Sequence, residues 1–153
     1  MLFDHSRDSD SDAAEAMDLA RRAITLDPRF ARSHSALGLS YSASRQHEEA
    51  VASARNAIVR QPGDTDSHSW LARCLMWAGR GKEACDATQT ALRLDPQYVE
   101  GPYLNLLGRV SYLAGRDQDA IDAYRRNDDR GGAVGGFRYA VWAAAHAQLG
   151  QIE

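Results

Sequence analysis

The chain has 153 residues, of which 44% are hydrophobic, 25% charged and 8% aromatic, the balance of an ordinary folded domain and not of a disordered or fibrous chain. With 18 basic residues against 21 acidic ones the formal net charge is -3, which gives no electrostatic case for nucleic acid or an anionic membrane as partner. No apolar run reaches the roughly 18 positions of a spanning helix, the start carries no signal-peptide pattern, and the two cysteines, Cys74 and Cys85, are too few for a secreted disulfide framework, so a cytoplasmic setting is expected.

In chain order, residues 1–11 are expected to be a disordered leader. Asp8-Ser-Asp-Ser-Asp12 spaces its carboxylates like a calcium loop, but Ala13 replaces the turn glycine and Leu19 the closing glutamate. A solvated segment ending in a helix cap at Ser11 or Asp12 is the reading that remains. From Asp12 to Leu26, the apolar residues Ala16, Leu19, Ala20, Ala23 and Ile24 recur at spacings of three and four, one face of a helix, and Asp27-Pro28 stops it because the ring cannot continue the hydrogen-bond ladder.

Pro28, Pro62 and Pro96 fall 34 residues apart and close similar phrases, Ile24-Thr-Leu-Asp-Pro28, Ile58-Val-Arg-Gln-Pro62 and Leu92-Arg-Leu-Asp-Pro96. Small residues recur in step, Ala16, Ala50 and Ala84 in one column and Ala23, Ala57 and Ala91 in another. Such a period marks stacked units, none of which buries its apolar face alone. No segment alternates with the period of a strand, so the whole chain is predicted to be helical.

The pattern resembles the tetratricopeptide repeat family: an aromatic, Leu-Gly and Tyr on one helix, then Ala and Phe on the next, and a closing Pro. The first full unit, 29–62, holds His34, Leu37-Gly38, Tyr41, Ala50, Ala54, Ala57 and Pro62 in those places. The second, 63–96, holds His68, Leu71-Ala72, Leu75, Ala84, Thr88, Ala91 and Pro96. The third, 97–132, is displaced by two residues around Gln97 to Pro102, since Gly79 and Gly115 lie 36 apart, and it holds Leu104, Leu107-Gly108, Ser111, Ala120 and Tyr124 without a closing proline. Half repeats at 12–28 and 137–150 flank these units, and Arg130-Gly-Gly-Ala-Val-Gly-Gly136 reads as a flexible link between the third unit and the last helix.

The resemblance covers residues 12–151 and implies a single repeat domain, an all-α, right-handed superhelix of antiparallel helix pairs. The chain starts and stops in mid-repeat, which is expected of a window onto a longer solenoid or of open repeat ends that pair with a second copy as a homodimer.

Nothing announces catalysis. No nucleophile elbow, ordered Ser/His/Asp set or zinc-protease motif is present, so no enzyme, cofactor or metal is expected. His34 and His68 are one repeat apart, on the order of 10 Å for stacked helices, too far to share an ion. They read as substitutes for the packing aromatic, and Cys74 and Cys85 as buried thiols.

What the resemblance implies is binding, of an extended peptide or a helix, in the concave face built by the first helix of each pair. The inward positions are Arg32, Ser35, Leu39 and Ser42 in the first unit and Asp66, Ser69, Trp70, Arg73, Met76 and Trp77 in the second. The third unit adds Asn105, Leu106, Arg109 and Tyr112, and the last helix Phe137 and Ala140. Arg73 and Arg109 share a column, with indole and phenol rings beside them, and guanidinium forks hold carboxylates bidentately. The expected partner is therefore a protein or peptide carrying an acidic group or free C-terminus and an apolar anchor, unless these arginines pair with Asp66 or Asp86 instead and Trp70 or Trp77 serves only inter-helix packing.

The carboxylate clamp of chaperone-binding members is absent, because Ser35, Leu39, Arg73, Pro102 and Leu106 stand in its places. A competing expectation is a regulatory or oligomerisation segment of a larger signalling protein. The phrase from Ala23 to His34 is similar to those in bacterial cyclases and transcription regulators that carry such repeats.

Overall fold

The computed structural model describes residues 5–96, 103–132 and 138–150, with side chains from Ser11 onward. Among these there are eight helices and no strand: α1 (His5–Leu26), α2 (Ala31–Ala43), α3 (His47–Arg60), α4 (Thr65–Trp77), α5 (Gly81–Leu94), α6 (Tyr103–Leu113), α7 (Asp117–Asp129) and α8 (Arg138–Gln148). The displaced segment at Gln97 to Pro102, most of the glycine-rich link and Phe137 lie outside the described residues.

The helix ends follow the local chemistry. α1 and α3 each end two residues before a proline, Pro28 and Pro62. At the second of these breaks Asp64 caps α4, its carboxylate accepting from Ser67 N at 2.9 Å. A disordered leader is expected over residues 1–11, of which 1–4 lie outside the described residues; from His5 onward the described part is already helical and passes through Ser11 and Asp12, because residues 5–12 contain neither proline nor glycine to interrupt the ladder.

Within a unit, three residues join the first helix to the second, and the turn is a left-handed C-cap. Arg80 N donates to Leu75 O at 2.9 Å around Gly79 (φ 72°), and Arg116 N donates to Ser111 O at 2.9 Å around Gly115 (φ 71°). The first unit makes the same turn with Arg45 at φ 59°, Gln46 N donating to Tyr41 O at 2.9 Å, so a non-glycine side chain occupies the strained position there.

Between units, the two repeat-equivalent histidines do more than pack. His34 Nε2 donates to Pro28 O at 3.1 Å and His68 Nε2 to Pro62 O at 2.9 Å, each tying a first helix to the break that precedes it. Arg60 Nε also donates to Pro28 O, at 2.6 Å, and Arg130 Nη1 to Pro96 O at 2.9 Å, so second helices of later units hold the breaks of earlier ones.

The stacking defines two faces. α2 packs on α4, α4 on α6 and α6 on α8, whereas the backbones of α3, α5 and α7 stay apart among the described residues, α3 and α5 being bridged at side-chain range by the Arg55–Glu83 ion pair at 3.1 Å. First helices therefore crowd the inside of the curve and second helices spread around its outside. Between the two layers runs the core, with Ala50, Ala84 and Ala120 fully buried where paired helices cross and Leu75, Val51 and Val110 filling the gaps. Cys74 and Cys85 are buried free thiols in this core, and burial pushes both thiols above their ordinary pKa, away from reactivity.

Candidate peptide-binding face

The inner face is organised around two arginines. Arg73 on α4 is half-buried and lays its guanidinium over Trp70, 5.0 Å from the ring centroid. Burial first, and then the neighbouring charge of Arg109 on α6, push the Arg73 guanidinium below its usual pKa. The two cations are thus close enough to feel each other, and neither has an ion pair or hydrogen bond with a described residue.

The acid expected to neutralise them is committed elsewhere. Asp66 accepts from Tyr103 Oη at 2.8 Å and pairs with Arg32 at 3.6 Å, which links α2, α4 and α6 at the N-terminal ends of the first helices. Asp86 pairs with neither arginine. One end of the inner face is therefore electrostatically closed, and its middle carries uncompensated positive charge.

Apolar surface adjoins this charge. Met76, Trp77, Arg109, Tyr112, Leu113 and Val141 line a cleft of about 310 Å³ between α4, α6 and α8. On the other side of Trp77 lies a second depression of about 550 Å³, lined by Leu39, Ser42, Ala43, Arg45 and His47. Trp77, 46% exposed, stands as a ridge between the two.

Of the residues expected on this face, Arg73, Arg109, Trp70, Met76, Trp77 and Tyr112 come together. Ser69 does not offer a surface: it is buried, as are Ser35 and Leu106 and, at the edge of the second depression, Ser42. Asn105 is half-buried and already engaged, and Ala140 is exposed on α8. Leu113 and Val141 are not among the expected residues. Leu113 follows Trp77 by the 36-residue step of the third unit, and that step is the signal that finds it.

The end of the face is fixed by Arg138 at the start of α8. It is buried, ion-paired with Asp128, and surrounded by the rings of Tyr124, Tyr139 and Trp142 at 5.6, 5.7 and 5.1 Å. Trp142 in turn donates to His146 Nε2 at 2.6 Å. Among the described residues no group of His, Cys, Asp or Glu is placed to hold a metal ion, and no helix is long and apolar enough to cross a membrane.

A stack of helix hairpins whose first helices line one continuous face defines an α-solenoid, a class that presents a surface and is built from units of one kind. Residues 35–99 match the model of the tetratricopeptide repeat family. A crystal structure of MamA superimposes at a TM-score of 0.73 and 21% identity over 99% of this chain and 86% of its own. TTC0263, a thermophilic TPR protein in Thermus thermophilus, gives 0.73 and 18% over 88% and 73%, and MamA MSR-1 C2 gives 0.62 and 22% over 77% and 67%. No curated protein matches in sequence. Residues 35–99 are thus similar to the tetratricopeptide repeat, and the described helices as a whole share the fold of these structures.

Proposed function

We propose that the inner face holds a peptide or helix of a partner protein that presents a carboxylate, from an acidic side chain or a free C-terminus, next to an apolar anchor. The observation that carries this reading is the Arg73–Arg109 pair. Two guanidinium groups lie within electrostatic reach of each other without a described carboxylate, one of them half-buried at a cost that a bound carboxylate would offset. The anchor's place is the cleft beside Trp77, Tyr112 and Leu113, where aromatic area is presented with little side-chain entropy to lose. Catalysis has no part in this reading.

Selection of a random peptide library displayed with free C-termini tests it. Peptides combining a carboxylate with an aromatic or aliphatic residue are expected to be enriched. Their binding should weaken at least about tenfold, roughly 1.4 kcal/mol, in Arg73→Glu combined with Arg109→Glu, and also as salt rises. Selected peptides that bind the double variant as tightly as the parent would overturn the proposal.

A further inference from the structure

The two depressions that flank Trp77 are the same place in successive units. A shift of 34 carries Ser42 and Ala43 of the larger one onto Met76 and Trp77 of the smaller, and the 36-residue step carries Trp77 onto Leu113. A peptide that lies along the inner face and fills one therefore meets the other across the indole. Their walls differ. Ala43 stands where Trp77 does, which leaves about 550 Å³ on one side against about 310 Å³ on the other. Leu39 stands in the column of Arg73 and Arg109, so that column turns apolar at this step, and Arg45, which also lines the larger depression, is exposed.

The larger depression also has polar groups behind its wall. Ser42 is 7% exposed, and its hydroxyl has no hydrogen-bond partner among the described residues. Ser40, two residues earlier, donates to Ala36 O at 3.0 Å, a common way to satisfy a helical hydroxyl. Ser42 makes no such bond, and the neighbouring Cys74 thiol, a weak donor and acceptor, does not close one with it. His47 opens α3 just after the left-handed turn at Arg45, and its Nδ1 is buried and likewise unpartnered among the described residues. At the equivalent positions Met76 and Gly81 offer no strong hydrogen-bonding side chain. An unpaired buried polar group carries a cost that a matching ligand group offsets. One χ1 step of Ser42 or a turn of the His47 ring brings either atom to the wall.

We propose that this depression takes a tyrosine side chain of the partner peptide, while the cleft on the other side of Trp77 takes a smaller aliphatic anchor. Leu39, Ala43 and the half-exposed indole of Trp77 accept the apolar body of the ring. The phenol hydroxyl both donates and accepts, so it can serve Ser42 Oγ and His47 Nδ1 whichever tautomer the imidazole adopts. A carboxylate tip would find Leu39 where the next two units have arginine. That both side chains belong to one peptide rests on the carboxylate reading above; the pocket itself does not.

N-acetyltyrosinamide and N-acetylphenylalaninamide, neither of which carries a carboxylate, test the pocket by NMR titration of the 153-residue chain, read at the Trp77 indole and the His47 ring. The tyrosine probe is expected to shift both signals saturably and to bind at least about threefold more tightly than the phenylalanine probe. Ser42→Ala combined with His47→Leu should abolish that preference. Ala43→Trp falls at an exposed position whose repeat equivalent is already tryptophan, and should weaken both probes at least about tenfold, with circular dichroism checking that it stays helical. Arg73→Glu with Arg109→Glu should leave both probes unaffected, so a failure of the carboxylate reading shows in the peptide selection and not in this titration. In that selection the parent should enrich a tyrosine beside the aliphatic anchor, and Ala43→Trp should keep the carboxylate and lose the tyrosine. Equal binding of the two probes, binding that survives Ala43→Trp, or selected peptides with a carboxylate and no tyrosine would each overturn the proposal, and the last would leave the role of the arginine pair intact.

Discussion

In the first unit, Gly38 of α2 lies so close to α3 that a methyl group there would stand 2.9 Å from Ala50 O and 3.3 Å from Ala54 N; in the third, the equivalent Gly108 of α6 is covered by the ring of Tyr124, whose carbons would come within 2.6 Å of such a methyl. The first crossing is closed by backbone approach and the third by an aromatic side chain. The middle unit lies between them, with Ala72 on α4 and Thr88 on α5, both fully buried. Interiors must be filled to near-crystalline density. A repeat can meet that demand by bringing two helices together or by holding them apart and filling the gap, so this column tolerates Ala54, Thr88 and Tyr124 alike. Its neighbour, the column of Ala50, Ala84 and Ala120, is alanine and fully buried in every unit.

The two modes of closure fail in opposite directions. Truncating Tyr124 to Ala empties the third crossing and removes one of the rings around Arg138, and the loss should be about 3–5 kcal/mol, read as a lower urea midpoint. At the first crossing the damaging change is an addition. Gly38→Ala drives a methyl into the backbone of α3, which cannot rotate away, and should cost about 1–3 kcal/mol. If Gly38→Ala were neutral, the first unit would not be closed by backbone approach, and the contrast between the two units would fail.

The parts of the fold legible in the sequence are those decided locally. Prolines at a fixed period stop α1 and α3 where expected, and glycines at the turns mark the register even across the two-residue shift of the third unit. That α1 extends ahead of Asp12 was not legible, because a helix without a breaker has no local reason to start there. The face was legible as columns and not as contacts. The repeat puts Arg73 and Arg109 on one wall, but which acid reaches them depends on side-chain length and rotation, and Asp66 turns out to be taken by Arg32 and Tyr103. One step along a helix is a rotation of about 100°. That is enough to bury Ser69 while its neighbour Trp70 remains half-exposed on the inner face.

The smallest effect is the most specific, because it isolates one atom of the third crossing. Tyr124 is fully buried and its hydroxyl has no hydrogen-bond partner among the described residues, so it carries a desolvation cost that none of them repays. Burial pushes its pKa from 10.0 up to about 12, although Arg109 and Arg138 pull the other way. The native state therefore keeps its proton where the unfolded chain has lost it, and the unfolded state binds fewer protons between those two values. Stability is complete below the unfolded value and falls as pH rises toward about 12, by on the order of 1 kcal/mol per pH unit. Tyr124→Phe keeps the ring over Gly108 and deletes only the oxygen. It should raise stability by about 1 kcal/mol near neutral pH and flatten the alkaline decline relative to the parent. Urea unfolding of both proteins near neutrality and at about pH 11 reads both effects. A Phe variant less stable than the parent would mean that the hydroxyl is held by a partner after all, and that the third crossing is closed by a polar contact as well as by volume.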